Sequence, residues 1–116
     1  MSDIVEKMVD GVSVFINLKK TGGYGKFVHL KDEQGSEYLV SLSLQEYEYH
    51  EDIVKFAQEK YEKEFKVIGG GEIAIQITPK IFVNGRSSRY GRTDNEYIGK
   101  IVGKLYPDFK IVAWNS

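Results

Sequence analysis

The chain has 116 residues, no cysteine, and sixteen basic against seventeen acidic side chains, a formal net charge of -1 at pH 7. That length suits one domain spanning residues 1–116, and the lack of cysteine excludes disulfides, thiolate metal clusters and thiol catalysis. Near-neutral charge removes any general attraction to nucleic acid or anionic membrane, and no window approaches the ~20 apolar residues of a membrane span, so a soluble cytoplasmic monomer binding neither is expected.

The N-terminal MSDIVEKMVDG has neither a basic leader nor an apolar stretch of signal length. Val12, Val14, Ile16 and Leu18 alternate along VSVFINL, the period of a half-buried strand. KKTGGYG is a glycine-bearing basic loop. KFVHLKD and SEYLVSLS, joined by the turn residues DEQG, predict a hairpin over 26–42. From His50 the period becomes helical. HEDIVKFAQEKYEKEF sets Ile53, Ala57 and Tyr61 on one face and places Glu51 and Asp52 in the first turn, where acids favour the helix dipole. FKVIGGGEIAIQI reads as two apolar strands parted by glycines, and KIFVNG as a third. Thr93 and Glu96 form a capping-box spacing that opens a helix with Tyr97, Ile98, Ile101, Val102 and Leu105 on its apolar stripe. Gly99 and Gly103 would let that helix lie close to a sheet, Pro107 ends it, and FKIVAW is the last strand. The sum is an α+β fold, a single mixed sheet flanked by two helices.

All three arginines, Arg86, Arg89 and Arg92, fall in NGRSSRYGRTD, residues 84–94. Guanidinium groups, the hydroxyls of Ser87 and Ser88, and backbone N–H groups before a helix start are the components of a phosphate site. The alternative is a solvated loop whose arginines pair with nearby acids. His50, beside Tyr49 at a helix start, could act as general base, general acid or nucleophile, or simply satisfy a local hydrogen bond. His29, inside a strand, reads as structural. Tyr47, Tyr49 and Tyr90 either line a pocket or join the core. Lys19, Lys20 and Lys26 form a second, weaker anion candidate. Two histidines distant in sequence give no metal site, and GGGEIAIQ lacks the G-K-[ST] of a phosphate-binding P-loop.

Three stretches together resemble the protein histidine phosphatases of the Janus/Ocnus family: EYEYHEDI (46–53), VIGGGEIAIQ (67–76) and KIFVNGRSSRYGRTDNEYIGKIVGKLYPDFKIVAW (80–114). The resemblance implies cofactor-free, metal-independent removal of phosphate from phosphohistidine in protein substrates, with phospholysine a second class. It carries the catalytic histidine onto His50, the phosphate loop onto Ser87, Ser88 and Arg89, and a shaping neighbour onto Tyr49. Three basic positions of the family fall instead on Val14, on Ser41 or Leu42, and on Glu72. Arg86 and Arg89, with Lys19 or Lys26, are then expected to supply the charge. A phosphate-recognition module without catalysis is the competing expectation, and a plain interaction domain a third.

Overall fold

A computed structural model describes residues 3–115. In chain order the elements are β1 (Ile4–Val9), β2 (Val12–Asn17), β3 (Tyr24–Lys31), β4 (Glu37–Ser43), α1 (His50–Tyr61), β5 (Lys66–Gln76), β6 (Lys80–Asn84), α2 (Asn95–Leu105) and β7 (Lys110–Ala113). The strands make one sheet in the order β1-β2-β4-β3-β5-β6-β7. The β2–β4 and β6–β7 pairs are parallel and the other four antiparallel, so the α+β expectation of one mixed sheet with two helices holds.

Strand alternation divides the buried residues between two faces. Val12, Val14, Ile16, Phe27, Leu39, Ile73, Ile81 and Val83 point to the side where α2 lays Ile98, Ile101 and Val102. Phe15, Val28, Leu30, Val40 and Leu42 point to the other, where α1 contributes Ile53, Val54 and Ala57. Gly99 faces β7 so closely that a Cβ there would lie 2.6 Å from the Ala113 Cβ, the tight helix–sheet approach expected of that glycine pair.

Four sequence expectations need correction. β1 was not foreseen, because most of its side chains are exposed and it lies at the sheet edge with no apolar alternation to announce it. α1 stops at Tyr61 rather than continuing to Phe65, since Glu62 takes a left-handed backbone (φ 53) and turns Phe65 back onto the Tyr38 ring. Residues 65–84 hold two strands, not three. β5 runs unbroken through Gly69, Gly70 and Gly71, with the irregularity showing as a register shift opposite His29 and Leu30. The cap of α2 is Asp94, whose carboxylate accepts from the N–H groups of Glu96 and Tyr97, and not Thr93.

Thr93 is spoken for elsewhere. Its Oγ1 lies 2.7 Å from His29 Nδ1, while His29 Nε2 lies 2.7 Å from a Glu37 carboxylate oxygen. That same oxygen accepts from the Tyr97 hydroxyl at 3.3 Å. His29 is thus structural, as expected: both ring nitrogens are used to tie β3 and β4 to the start of α2. No helix among the described residues is long and apolar enough to cross a membrane.

Candidate functional site

His50 is the first residue of α1. Tyr49 before it is extended (φ -116, ψ 150), and the N–H of Tyr49 donates to Asp52 Oδ2 at 3.3 Å, which fixes the entry into the helix. The turn drives the imidazole down onto β5, where it is buried. It fits only because position 70 is glycine: a Cβ there would sit 2.6 Å from His50 Cδ2 and 2.7 Å from the Phe27 carbonyl oxygen. One use of the triple glycine is therefore to let the backbone of β5 approach this histidine.

The ring lies 3.0 Å through Nε2 from the Gly71 carbonyl oxygen. A carbonyl only accepts, so Nε2 carries the hydrogen and Nδ1 keeps the lone pair. Among the described residues Nδ1 makes no hydrogen bond. Burial lowers the His50 pKa, and the nearby Lys26 ammonium pushes the same way against the opposing effects of the Gly71 bond, Glu72 and Glu51. The imidazole is thereby kept neutral, with a free basic nitrogen.

The arginine loop is anchored to the same glycines. Ser87 is buried, and its Oγ accepts from the N–H groups of Arg89 at 3.2 Å and Tyr90 at 3.0 Å. Ser87 and Gly91 pair as an isolated antiparallel bridge, and the Gly91 carbonyl accepts from both Ser87 N–H (3.1 Å) and Gly70 N–H (3.0 Å). At Gly69 a Cβ would come within 2.6 Å of the Arg92 carbonyl carbon and the Thr93 nitrogen, so here too glycine lets the loop lie flat on the strand. Gly70 touches His50 with its Cα face and holds the loop with its N–H. One residue joins both halves of the site.

Arg86, Ser88, Arg89 and Arg92 are exposed on this loop. The Arg89 guanidinium reaches the N-terminal turn of α1, with Nη1 3.4 Å from Glu51 Oε2, and stacks 5.7 Å from the Tyr90 ring centroid. Arg89 is therefore tied to the turn of α1 that carries His50. The Arg89 and Tyr90 N–H groups turn inward onto Ser87 rather than outward. The Ser88 N–H, which makes no hydrogen bond among the described residues, and the side chains of Arg86, Ser88 and Arg89 are left facing solvent.

Beside them, Lys26 donates to the Glu48 carbonyl oxygen at 2.7 Å and lies 5.7 Å from the centroid of the Tyr49 ring. Tyr49 is exposed, whereas Tyr47 and Tyr90 pack against the α1-side core. Glu72 pairs across the strands with Lys26 and accepts a hydrogen bond from the Tyr24 hydroxyl, which pushes the Tyr24 pKa up to about 12. Val14, Ser41 and Leu42 are buried. Lys19 stands apart, lining with Asn17, Ser43 and Tyr47 a cavity of about 480 Å³ that His50 does not reach. No group of three or more His, Asp or Glu side chains among the described residues is placed to hold a metal ion. Residues missed in the sequence are Gly70 and Gly71, which receive the imidazole, and Glu51, which holds Arg89. The triple glycine was the available signal for the first two.

Residues 10–110 match the family model described as the Janus/Ocnus family (Ocnus). No curated protein matches the chain.

Proposed function

The chain belongs to the Janus/Ocnus family, and from that membership together with the His50 geometry we propose that it hydrolyses phosphohistidine in proteins, with phospholysine as a second class of substrate. The observation that carries this reading is the neutral His50 imidazole, held through Nε2–H on the Gly71 carbonyl with Nδ1 unpartnered, resting on the same Gly70 whose N–H holds the arginine loop. A phosphoramidate P–N bond is labile once its nitrogen is protonated, so positioning and charge stabilisation suffice. Arg86, Arg89, the Ser88 N–H and the Ser88 hydroxyl hold the phosphoryl oxygens. Nδ1 of His50 then takes a proton from the attacking water as the P–N bond breaks and the substrate side chain leaves as a neutral imidazole bearing the proton it already carried, or attacks phosphorus itself, expelling that imidazole, and is freed by water in a second step. Tyr49 and Lys26 shape the flank through which the substrate approaches.

A second reading has its own support. Arg89 is already paired with Glu51, and the carboxylate of Glu72 stands beside the imidazole, so the local field is less positive than the clustered arginines alone would make it. A phosphate-recognition module that does no chemistry fits those two facts. Hydrolysis of a phosphohistidine peptide by wild type and His50→Ala separates the two. Turnover that falls about 10²–10⁴-fold in the variant, with peptide affinity retained, supports the enzyme. Binding by wild type without turnover leaves the recognition module.

A further inference from the structure

α1 crosses β3, β4 and the β5 glycines, and α2 covers the opposite face of the sheet, so among the described residues no helix packs over the α1 side of β5 beyond Glu72 or of β6 and β7. Register fixes what that face presents. Glu72 lies opposite Asn84, and both adjoin the Gly70–His50 contact. Two residues further along, Ala74, Phe82 and Val112 form an apolar row that Tyr24 extends on one side, while Trp114 stacks on Phe82 with ring centroids 6.2 Å apart. Two residues beyond that, Gln76, Lys80 and Lys110 form the next row. None of Ala74, Phe82 or Val112 belongs to either core cluster, Tyr24 and Trp114 are exposed, and Tyr24 and Ala74, at one end of the row, also line a groove of about 680 Å³.

Glu72, at the His50 end of this face, already accepts from the Tyr24 hydroxyl. At the far end Lys80 and Lys110 are exposed, and among the described residues neither forms an ion pair. An apolar strip with two unpaired cations at its far end is complementary to an extended segment carrying acidic groups and an aliphatic or aromatic anchor. We propose that this face docks an acidic segment of the protein substrate, the modified side chain at His50 and its acidic residues at Lys80 and Lys110. The inference rests on the hydrolase reading for the chemistry at His50, but the docking itself does not require turnover. Strand geometry sets the spacing: Gly70 to Gln76 is six residues, roughly 20 Å at 3.3 Å per residue, which an extended peptide spans in about six residues of its own. Its apolar anchor falls about four residues from the modified position.

Trp114 is the sole tryptophan of the chain and lies on the face, so its fluorescence reports occupancy directly. The experiment titrates a synthetic peptide with a leucine four residues and two glutamates six residues from a histidine, placed on either side of it, phosphorylated and not. Saturable change of Trp114 emission, weakened at least tenfold in the double variant Lys80→Glu, Lys110→Glu and by added salt, is the expected result. A peptide with lysines for glutamates is expected not to bind. In the kinetic arm the double variant raises KM for the acidic phosphopeptide about tenfold and leaves kcat, and turnover of free phosphohistidine, unchanged. Equal binding by wild type and double variant, or equal binding of both peptides, overturns the docking face. So does a concentration-dependent dimer whose formation buries Trp114, because a second copy would then be the occupant. Loss of all turnover with Trp114-detected binding intact overturns only the hydrolase reading.

Discussion

The two histidines of the chain are both buried and both face the glycine segment of β5, yet they do different work. His29 lies opposite Gly69 and spends both ring nitrogens, one on Thr93 and one on Glu37. His50 rests on Gly70 and spends one, on a carbonyl. Burial alone therefore does not separate the two imidazoles; the unspent Nδ1 of His50 does. The fully bonded residue fastens the end of the arginine loop, and the half-bonded one rests on the glycine whose N–H holds that loop.

The comparison breaks first if the two alanine variants fail to cross. His50→Ala is expected to lose about 10²–10⁴-fold in phosphohistidine turnover at a cost of roughly 1 kcal/mol in stability. His29→Ala strands a buried partner, Thr93, and a half-buried one, Glu37, and should lose about 1–3 kcal/mol in urea unfolding while the folded fraction keeps most of its turnover. If His29→Ala abolishes turnover in protein shown to be folded, the division of labour is wrong.

Gly70→Ala should damage both sides at once, since the new methyl group meets His50 Cδ2 and the Phe27 carbonyl oxygen. A destabilisation of about 1–3 kcal/mol is expected, with a drop in turnover larger than that of any alanine substitution in the exposed face of α1. Next comes pH. Because burial holds His50 below the usual 6.5, the unfolded chain binds more protons than the folded one in the interval between the two values. Its contribution to stability is present in full above about pH 6.5 and is lost as pH falls through the folded value. Turnover that needs the neutral ring should decline on the same acid side, with its midpoint below that of an exposed histidine. A turnover optimum that rises toward low pH would contradict the assignment. The smallest effect is expected for Glu51→Gln. An exposed ion pair contributes little, so stability should stay within about 0.5 kcal/mol, while inorganic phosphate, followed by calorimetry, binds a few-fold more tightly to the released Arg89.

How much of this was legible in the sequence follows from the range of the forces involved. The switch from period 2 to helical period before His50 is local, and it placed that histidine at a helix start. The buried alternation of β2 and the hairpin of β3 and β4 are local too. The capping-box spacing of Thr93 and Glu96 is equally local, and it misled, because the Thr93 hydroxyl is claimed by a histidine 64 residues away and Asp94 is free to take the cap. β1 carries little signal, since an edge strand with Ile4 and Met8 exposed buries only Val9, with Val5 half-buried, too little to impose alternation. The loop's arginines were visible as a cluster, but not the Glu51 that ties one of them down, nor the tyrosine that occupies Glu72. Both partners come from separate elements and meet only once the sheet has formed.

The parallel pairing of β6 with β7 has a kinetic consequence. Parallel neighbours cannot be joined by a tight turn, so β7 finds β6 only after α2 has passed over the sheet. Two of the five residues of the apolar strip, Val112 and Trp114, are set in place in that closing step, on and just after a four-residue strand at the rim. The amides of β7 belong at the low-protection end of native-state hydrogen exchange, ahead of those of β3 and β5 at the centre. A molecule caught before that step would carry a complete His50 contact and only part of the face proposed to seat a partner.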